Sequence, residues 1–394
     1  MTLKLDMIQT TAIAILFYYI GSFVKTKVSI LEKFCIPAPV VGGLIFAILN
    51  LIFTESGIIS IKLDSTLQTP FMLVFFTTIG LGASFKLIKK GGRQVVLFFV
   101  AAVLLVICQD ILGVFLSKII GVNPFLGLIA GSVTMTGGHA TGASFGALFE
   151  NTHGLTGASS TAMAAATFGL IFGSLIGGPI AKTLISRNNL KSNSEDFHSD
   201  SDEKSEEVTS TNLFNTFSLI FIAMGLGTIL ELFFKSINVT LPSYINAMII
   251  AAVIVNLGEG TKKWTINSKC VDMIGNASLN IFLSMALIDL RLWELKSTAG
   301  PLLILLVGQV ILMAIFAYFV TFRLLGKDYD AAVMSAGHCG FGMGATPNGM
   351  ANMEAITSKY GASPKAFFIL PVVGAFLVDF SNSLVITLFI NLLQ

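Results

Sequence analysis

Asp379 lies in LVDFSNSL, an otherwise apolar stretch near the C-terminus, with Ser381, Asn382 and Ser383 beside it. A carboxylate inside an apolar run is costly unless it meets a cation or a hydrogen-bond partner. Carboxylate, amide and hydroxyl oxygens are hard ligands, so Asp379, Ser381 and Asn382 read as candidate sodium ligands. The competing account is a purely structural hydrogen-bond network. Glu150, toward the end of a hairpin expected within an earlier interrupted apolar region, is a fourth sodium candidate. Like Asp330, it also fits an acid at a membrane interface. Asp289 and Arg291 close an apolar span and read as a snorkelling local pair.

Two glycine-rich stretches offer chemistry of another kind. GHCGFGMGATPNGMANME begins at Gly337 and carries glycines at 340, 342, 344 and 349 with Pro347 among them. TMTGGHATGAS runs from Thr134 to Ser144. Gly and Pro at this density interrupt a helix, which leaves free amides suited to anions and free carbonyls suited to cations. Thr136, Thr141 and Ser144 add hydroxyls to the first break, and Thr346 and Asn348 add polar groups to the second. Close helix packing is the plainer account of Gly340 and Gly344, but it has to explain two such clusters at matching places. A nucleotide loop is excluded, because no Lys-Ser or Lys-Thr follows the glycines. His139 and His338 could form a proton relay or a metal pair, although a histidine beside glycines more often donates to a carbonyl. The cysteines at 35, 108, 270 and 339 have no ligand spacing and read as buried thiols.

These stretches sit in a membrane protein. Hydrophobic residues make up 54% of the chain and charged ones 12%, and mean hydropathy is +0.83. Runs of this length and apolarity suit a hydrocarbon core of roughly 30 Å. Spans are predicted near 7–24, 34–53, 70–86 and 95–117, then a broken region at 122–185. A polar, low-complexity linker occupies 187–211. Further spans follow near 212–234, 242–258, 272–290 and 301–323, then a second broken region at 331–391. The first span has no cleavage signature behind it and is expected to be retained. A net charge of +2 gives no sign of a nucleic-acid partner.

The order of elements is that of a duplication: an N-terminal repeat at 1–186, the linker at 187–211 and a C-terminal repeat at 212–394. Gly121, Gly137 and Ala140-Thr141 recur as Gly326, Gly342 and Ala345-Thr346. Of 24 Lys and Arg residues, 18 fall on one side of the membrane and 6 on the other when the N-terminus is outside. That asymmetry puts the linker in the cytoplasm and both termini outside. Each broken region must then cross once in net, with re-entrant hairpins at about 122–158 and 331–358. The expected fold is an all-α polytopic membrane protein with two inverted repeats of five transmembrane helices, each carrying a re-entrant hairpin. Inverted repeats with broken helices at the midplane characterise secondary transporters. Arg93, Arg187, Arg291 and Arg323 all lie at span ends or in the linker, so an anionic substrate would be held by backbone amides and Thr or Asn side chains. The alternative reading is a sodium- or proton-coupled transporter of another small carboxylate or amino acid, and an ion channel stands behind it. An enzyme is not expected, because no nucleophile and base converge around either histidine.

GHCGFGMGATPNGMANMEAIT, SPKAFFILPVVGAFLVDF, IPAPVVGGL at 36–44 and TGGHATG together resemble the bacterial glutamate:sodium symporter family over essentially the whole chain. Ala140 stands where that family usually has glycine. The resemblance implies a homodimer in the bacterial inner membrane that takes up L-glutamate with sodium as coupling ion, without another cofactor, by an elevator-like motion. It also implies that Gly137, Gly138, His139, Gly340, Gly342 and Gly344 line the substrate site, with Thr346, Pro347 and Asn348 shaping its second half.

Overall fold

The computed structural model describes residues 2–34, 36–56, 60–84, 92–192, 207–236, 243–261, 264, 266–292 and 298–393. Most of the predicted linker, Cys35 and the lysines at 86, 89, 90, 204, 262, 263 and 296 lie outside the described residues.

The described residues are helical nearly throughout. α1 (Met7–Lys27), α2 (Ala38–Glu55), α3 (Gln68–Gly82) and α4 (Gly92–Ile119) match the first four predicted spans. The first broken region becomes α5 (Pro124–Leu128), which runs on as a π-helical segment Ile129–Val133, then α6 (Gly138–His153) and α7 (Ala158–Asn188). After the linker come α8 (Ser210–Ser236), α9 (Ser243–Thr261), α10 (Ser268–Ile288) and α11 (Ala299–Phe316). The second broken region becomes α12 (Tyr329–Gly342), α13 (Thr346–Tyr360), α14 (Pro364–Val372), a π segment Val373–Leu377 and α15 (Val378–Leu393). Among the described residues seven helices are long and apolar enough to cross a bilayer, and shorter apolar helices include Ala38–Phe53, Gln68–Gly82 and Val378–Leu393. The chain is therefore a polytopic membrane protein. One departure from an all-α chain is a parallel pair of three-residue strands, β1 (Thr2–Lys4) with β2 (Ser60–Lys62). These residues precede or follow helices, where backbone groups need partners that no helix supplies.

Local sequence sets the helix ends. Asp6 accepts from the amides of Ile8 and Gln9 while Gln9 caps Asp6 in return, a capping box that starts α1. Asn123 caps α5 ahead of Pro124, and Asp328 caps α12 through the amide of Ala331. Pro347, in the first turn of α13, gives up an amide that has no partner there in any helix.

Two groups of helices pack against each other. A flank is built from α1, α2, α3, α8, α9 and α10. A hairpin group is built from α4 to α7 and α11 to α15. Each draws on both halves of the chain. Within the flank, Gly227 meets Ala247 and Gly275 meets Thr78; within the hairpin group, Gly173 meets the Cys339 carbonyl. Small residues of this kind let helices without an aqueous driving force approach closely. Large apolar side chains such as Phe214, Leu232, Phe115 and Ile311 stay exposed on the outside of α8, α4 and α11. Such a surface suits lipid. The seam between the groups includes Phe145 of α6 against Tyr244 of α9, which also stacks on Phe76 of α3.

Hydrogen bonds sort the helix ends onto two faces. Ser84 bonds Glu259, Asn267 bonds the Glu207 carbonyl, and Ser192 bonds the Ala362 carbonyl on the face that carries the linker. The Asp64 amide bonds Thr10, Ser160 bonds the Arg291 carbonyl, and Thr161 bonds Thr298 on the other.

Candidate functional site

Both glycine stretches break where the sequence indicates. In the first, Gly131 leaves helical geometry (φ −85, ψ −138) inside the π segment, and the chain turns through Thr134 to Gly137 before α6 begins. Gly138 has φ +59, a left-handed conformation that disfavours any side chain. In the second, α12 ends at Gly342 and α13 starts at Thr346. The two breaks meet: a Cβ on Gly138 would lie 2.8 Å from the Gly344 carbonyl oxygen.

Polar side chains of neighbouring helices hold the meeting point together. Gln109 of α4 donates from Nε2 to the Gly342 carbonyl at 2.7 Å, and its Oε1 accepts from Thr136 Oγ1 at 2.7 Å. Gln309 of α11 donates to the Gln109 carbonyl at 2.8 Å. One glutamine thus ties both breaks to α4, and a second steadies it. All three side chains are buried.

A cavity of about 410 Å³ opens at this junction, on the seam between the two groups. The hairpin group contributes Thr136, Gly137, Gly138, His139, Ala140, Gly344, Thr346, Pro347 and Asp379. The flank contributes Thr78 from α3 and Asp272, Gly275 and Asn276 from α10. Two carboxylates therefore face the space, and among the described lining residues none is Lys or Arg. Helices α6 and α13 begin at its wall, and a helix N-terminus presents unpaired amides and a positive dipole end to an anion.

Of the residues proposed from sequence for substrate, Thr136, Gly137, Gly138, His139, Gly344, Thr346 and Pro347 line the cavity. Gly342 does not line it, and its carbonyl accepts from Gln109. Thr141 packs against Gly137, and Ser144 is buried along α6. Gly340 serves close packing, since a Cβ there would lie 2.6 Å from the Asn348 backbone carbon. Asn348 is turned away as well. Its amide nitrogen donates to the Leu170 carbonyl at 3.0 Å and to Ser174 Oγ at 2.9 Å, pinning α13 to α7.

The sodium candidates separate. Asp379 lines the cavity, and Ser381 spends its hydroxyl on the Leu377 carbonyl one turn back in its own helix. Asn382 donates to the Ser132 carbonyl at 3.1 Å. Glu150 does not line that cavity. Its carboxylate accepts the Ser159 amide at 3.0 Å, and it borders a second cavity of about 250 Å³ with Asp289 and Arg291. The histidines are not paired: His139 Nε2 meets Thr167 Oγ1 at 3.1 Å, while His338 Nδ1 meets Thr321 Oγ1 at 2.9 Å amid Phe98, Phe316 and Phe341. Among the described residues no cluster of His, Cys, Asp or Glu could hold a transition metal. Cys270 and Cys339 are buried and Cys108 half-buried, all as free thiols.

Gln109, Gln309, Asp272, Asn276 and Asp110 were not singled out from sequence. Each is a polar or acidic residue within an apolar helix, the same signal that drew attention to Asp379.

The chain is similar to known proteins over most of its length. The family model described as sodium/glutamate symporter matches residues 3–362. The chain is 42% identical over 382 residues to a sodium/glutamate symporter of Haemophilus influenzae, covering 95% of each chain. It is 40% identical over 393 residues to the sodium/glutamate symporter of Escherichia coli, covering 98% of each. These relatives are named as transporters and not as enzymes. With near full-length coverage and a matching family model, the chain belongs to the sodium/glutamate symporter family.

Proposed function

We propose that this protein imports L-glutamate together with sodium across the cytoplasmic membrane of a bacterium. The observation that carries the reading is the cavity between Gly138 and Gly344, where two helix N-termini and two carboxylates face one space with no basic side chain among the described lining. The amides at the starts of α6 and α13 suit the substrate carboxylates, with Thr136 and Thr346 beside them. Asp379 suits sodium, and Asp272 suits the substrate ammonium group. The printed names of the relatives support both solutes.

The pairs α5–α6 and α12–α13 act as re-entrant hairpins of two inverted repeats, entering from opposite faces, with both termini outside and the linker in the cytoplasm. The division of hydrogen-bonded helix ends between two faces supports this, as does the derivation of each helix group from both halves. Asp272 and Pro37, at helix ends on the linker face, border the cavity, which supports an inward-facing state. The hairpin group moves against the flank as an elevator within a homodimer, carrying the cavity past α3 and α10. Loading with glutamate and sodium favours the state able to cross by the difference in their affinity for the two positions.

The test is uptake into proteoliposomes under a sodium gradient, a proton gradient or none, with labelled glutamate and competing amino acids. Accumulation of glutamate against its own gradient, driven by sodium alone, is expected. Downhill equilibration only would favour a channel and sink the proposal.

A further inference from the structure

Asp110, on α4, is completely buried and does not line the cavity. Its two oxygens accept from one residue: the Ser132 amide donates to Oδ1 at 2.8 Å and the Ser132 hydroxyl to Oδ2 at 2.9 Å. Both donors are neutral, and among the described residues no ion pair reaches it. A carboxylate at this depth is expected to face a cation.

A second group that bonds Ser132 has an acceptor without a partner. Asn382 of α15 turns its amide nitrogen onto the Ser132 carbonyl at 3.1 Å, and its Oδ1 is buried with no hydrogen-bond donor. Gly131 lets Asp110 approach the break, since a Cβ there would lie 2.8 Å from Asp110 Oδ1. Its non-helical backbone interrupts the C-terminal end of the α5 segment, the end whose carbonyls and dipole attract positive charge.

We propose that Asp110, Asn382 Oδ1 and the broken backbone at Gly131–Ser132 form a site for an alkali cation, separate from the Asp379 carboxylate. Under the symport reading, on which this inference rests, the ion is sodium. Oxygen ligands of this kind suit a hard cation. Ser132 links the site to the substrate cavity, because its carbonyl also accepts the Gly137 amide at 2.9 Å, and Gly137 lines the cavity wall. A cation joining α4, α15 and Ser132 would order the turn that leads to Gly138, so its occupancy favours substrate binding.

The test compares melting of the purified full-length protein in sodium chloride and in choline chloride at equal ionic strength, without glutamate, alongside the sodium activation curve for uptake. A bound ion raises the melting temperature of the form that binds it. Wild type should show a sodium-specific rise. Asp110→Asn should lose part of that rise and need about tenfold more sodium for half-maximal uptake. Asn382→Ala should shift in the same direction, and it serves as the test if Asp110→Asn does not fold. A monodisperse Asp110→Asn protein with the wild-type sodium response would mean that a proton, which the amide mimics, neutralises Asp110, and it overturns this proposal alone. A wild type with no sodium response in either assay overturns the symport reading as well.

Discussion

Gln109 and Gly342 are 233 residues apart, and the Gln109 side-chain amide donates to the Gly342 carbonyl at 2.7 Å while accepting from Thr136. One side chain in the middle of α4 therefore holds the ends of both glycine breaks. Replacing Gln109 with Leu removes both short bonds and leaves the Thr136 hydroxyl and the Gly342 carbonyl only their own long contact at 3.4 Å, at a cost of roughly 1–3 kcal/mol. The expected result is a lower melting temperature and uptake reduced at least tenfold. Wild-type uptake by a Gln109→Leu variant would show that the junction holds without this residue.

Gly138 has no room for a side chain and no comfortable backbone for one. Its φ of +59 costs an L-residue about 1–2 kcal/mol, and a Cβ would press on the Gly344 carbonyl oxygen. Gly138→Ala is expected to abolish uptake while leaving expression measurable. Gly225→Ala, in α8 with nothing within 4 Å of the added Cβ, is the control and should be neutral or slightly stabilising. Equal activity of the two variants would contradict the meeting of the breaks.

Asp379 and Asp272 face the same cavity from opposite groups. Asp379→Asn is expected to move sodium activation to higher concentration, whereas Asp272→Asn should raise the KM for glutamate at saturating sodium. Parallel sodium titrations of uptake at several glutamate concentrations separate the two effects. An unchanged sodium curve in Asp379→Asn removes its assignment.

Relative motion of the two helix groups is open to cross-linking. Ser160 of α7 bonds the Arg291 carbonyl beyond the end of α10 at 3.3 Å, so a pair of cysteines at 160 and 291 bridges the seam. Thr161 and Thr298 have hydroxyl oxygens 3.2 Å apart inside the hairpin group. Oxidation should halt uptake by the Ser160→Cys, Arg291→Cys protein, with recovery on reduction. The Thr161→Cys, Thr298→Cys protein should keep transporting when oxidised. Uptake persisting in the first pair, once the cross-link is confirmed on a gel, counts against sliding at this seam.

Composition and hydropathy alone determined that the chain lives in a bilayer, and they located the helices closely, because apolar length is a local property. Density of Gly and Pro likewise marked both breaks, since each of those residues acts on its own stretch of backbone. An acid within an apolar helix announces that it needs a partner, which is how Asp379 was found; Asp110 was legible by the same rule. What such a residue cannot announce is the partner itself. Only the tertiary structure decided that Gly138 meets Gly344, that Gln109 joins the two breaks, and that Asp272 faces Asp379 across a seam between helix groups. It also turned Asn348 and Gly340 toward packing and carried Glu150 to another cavity. These outcomes depend on contacts between residues far apart in the chain, 233 positions for Gln109 and Gly342, where the geometry of approach, and not the identity of either residue, selects which polar groups share a space.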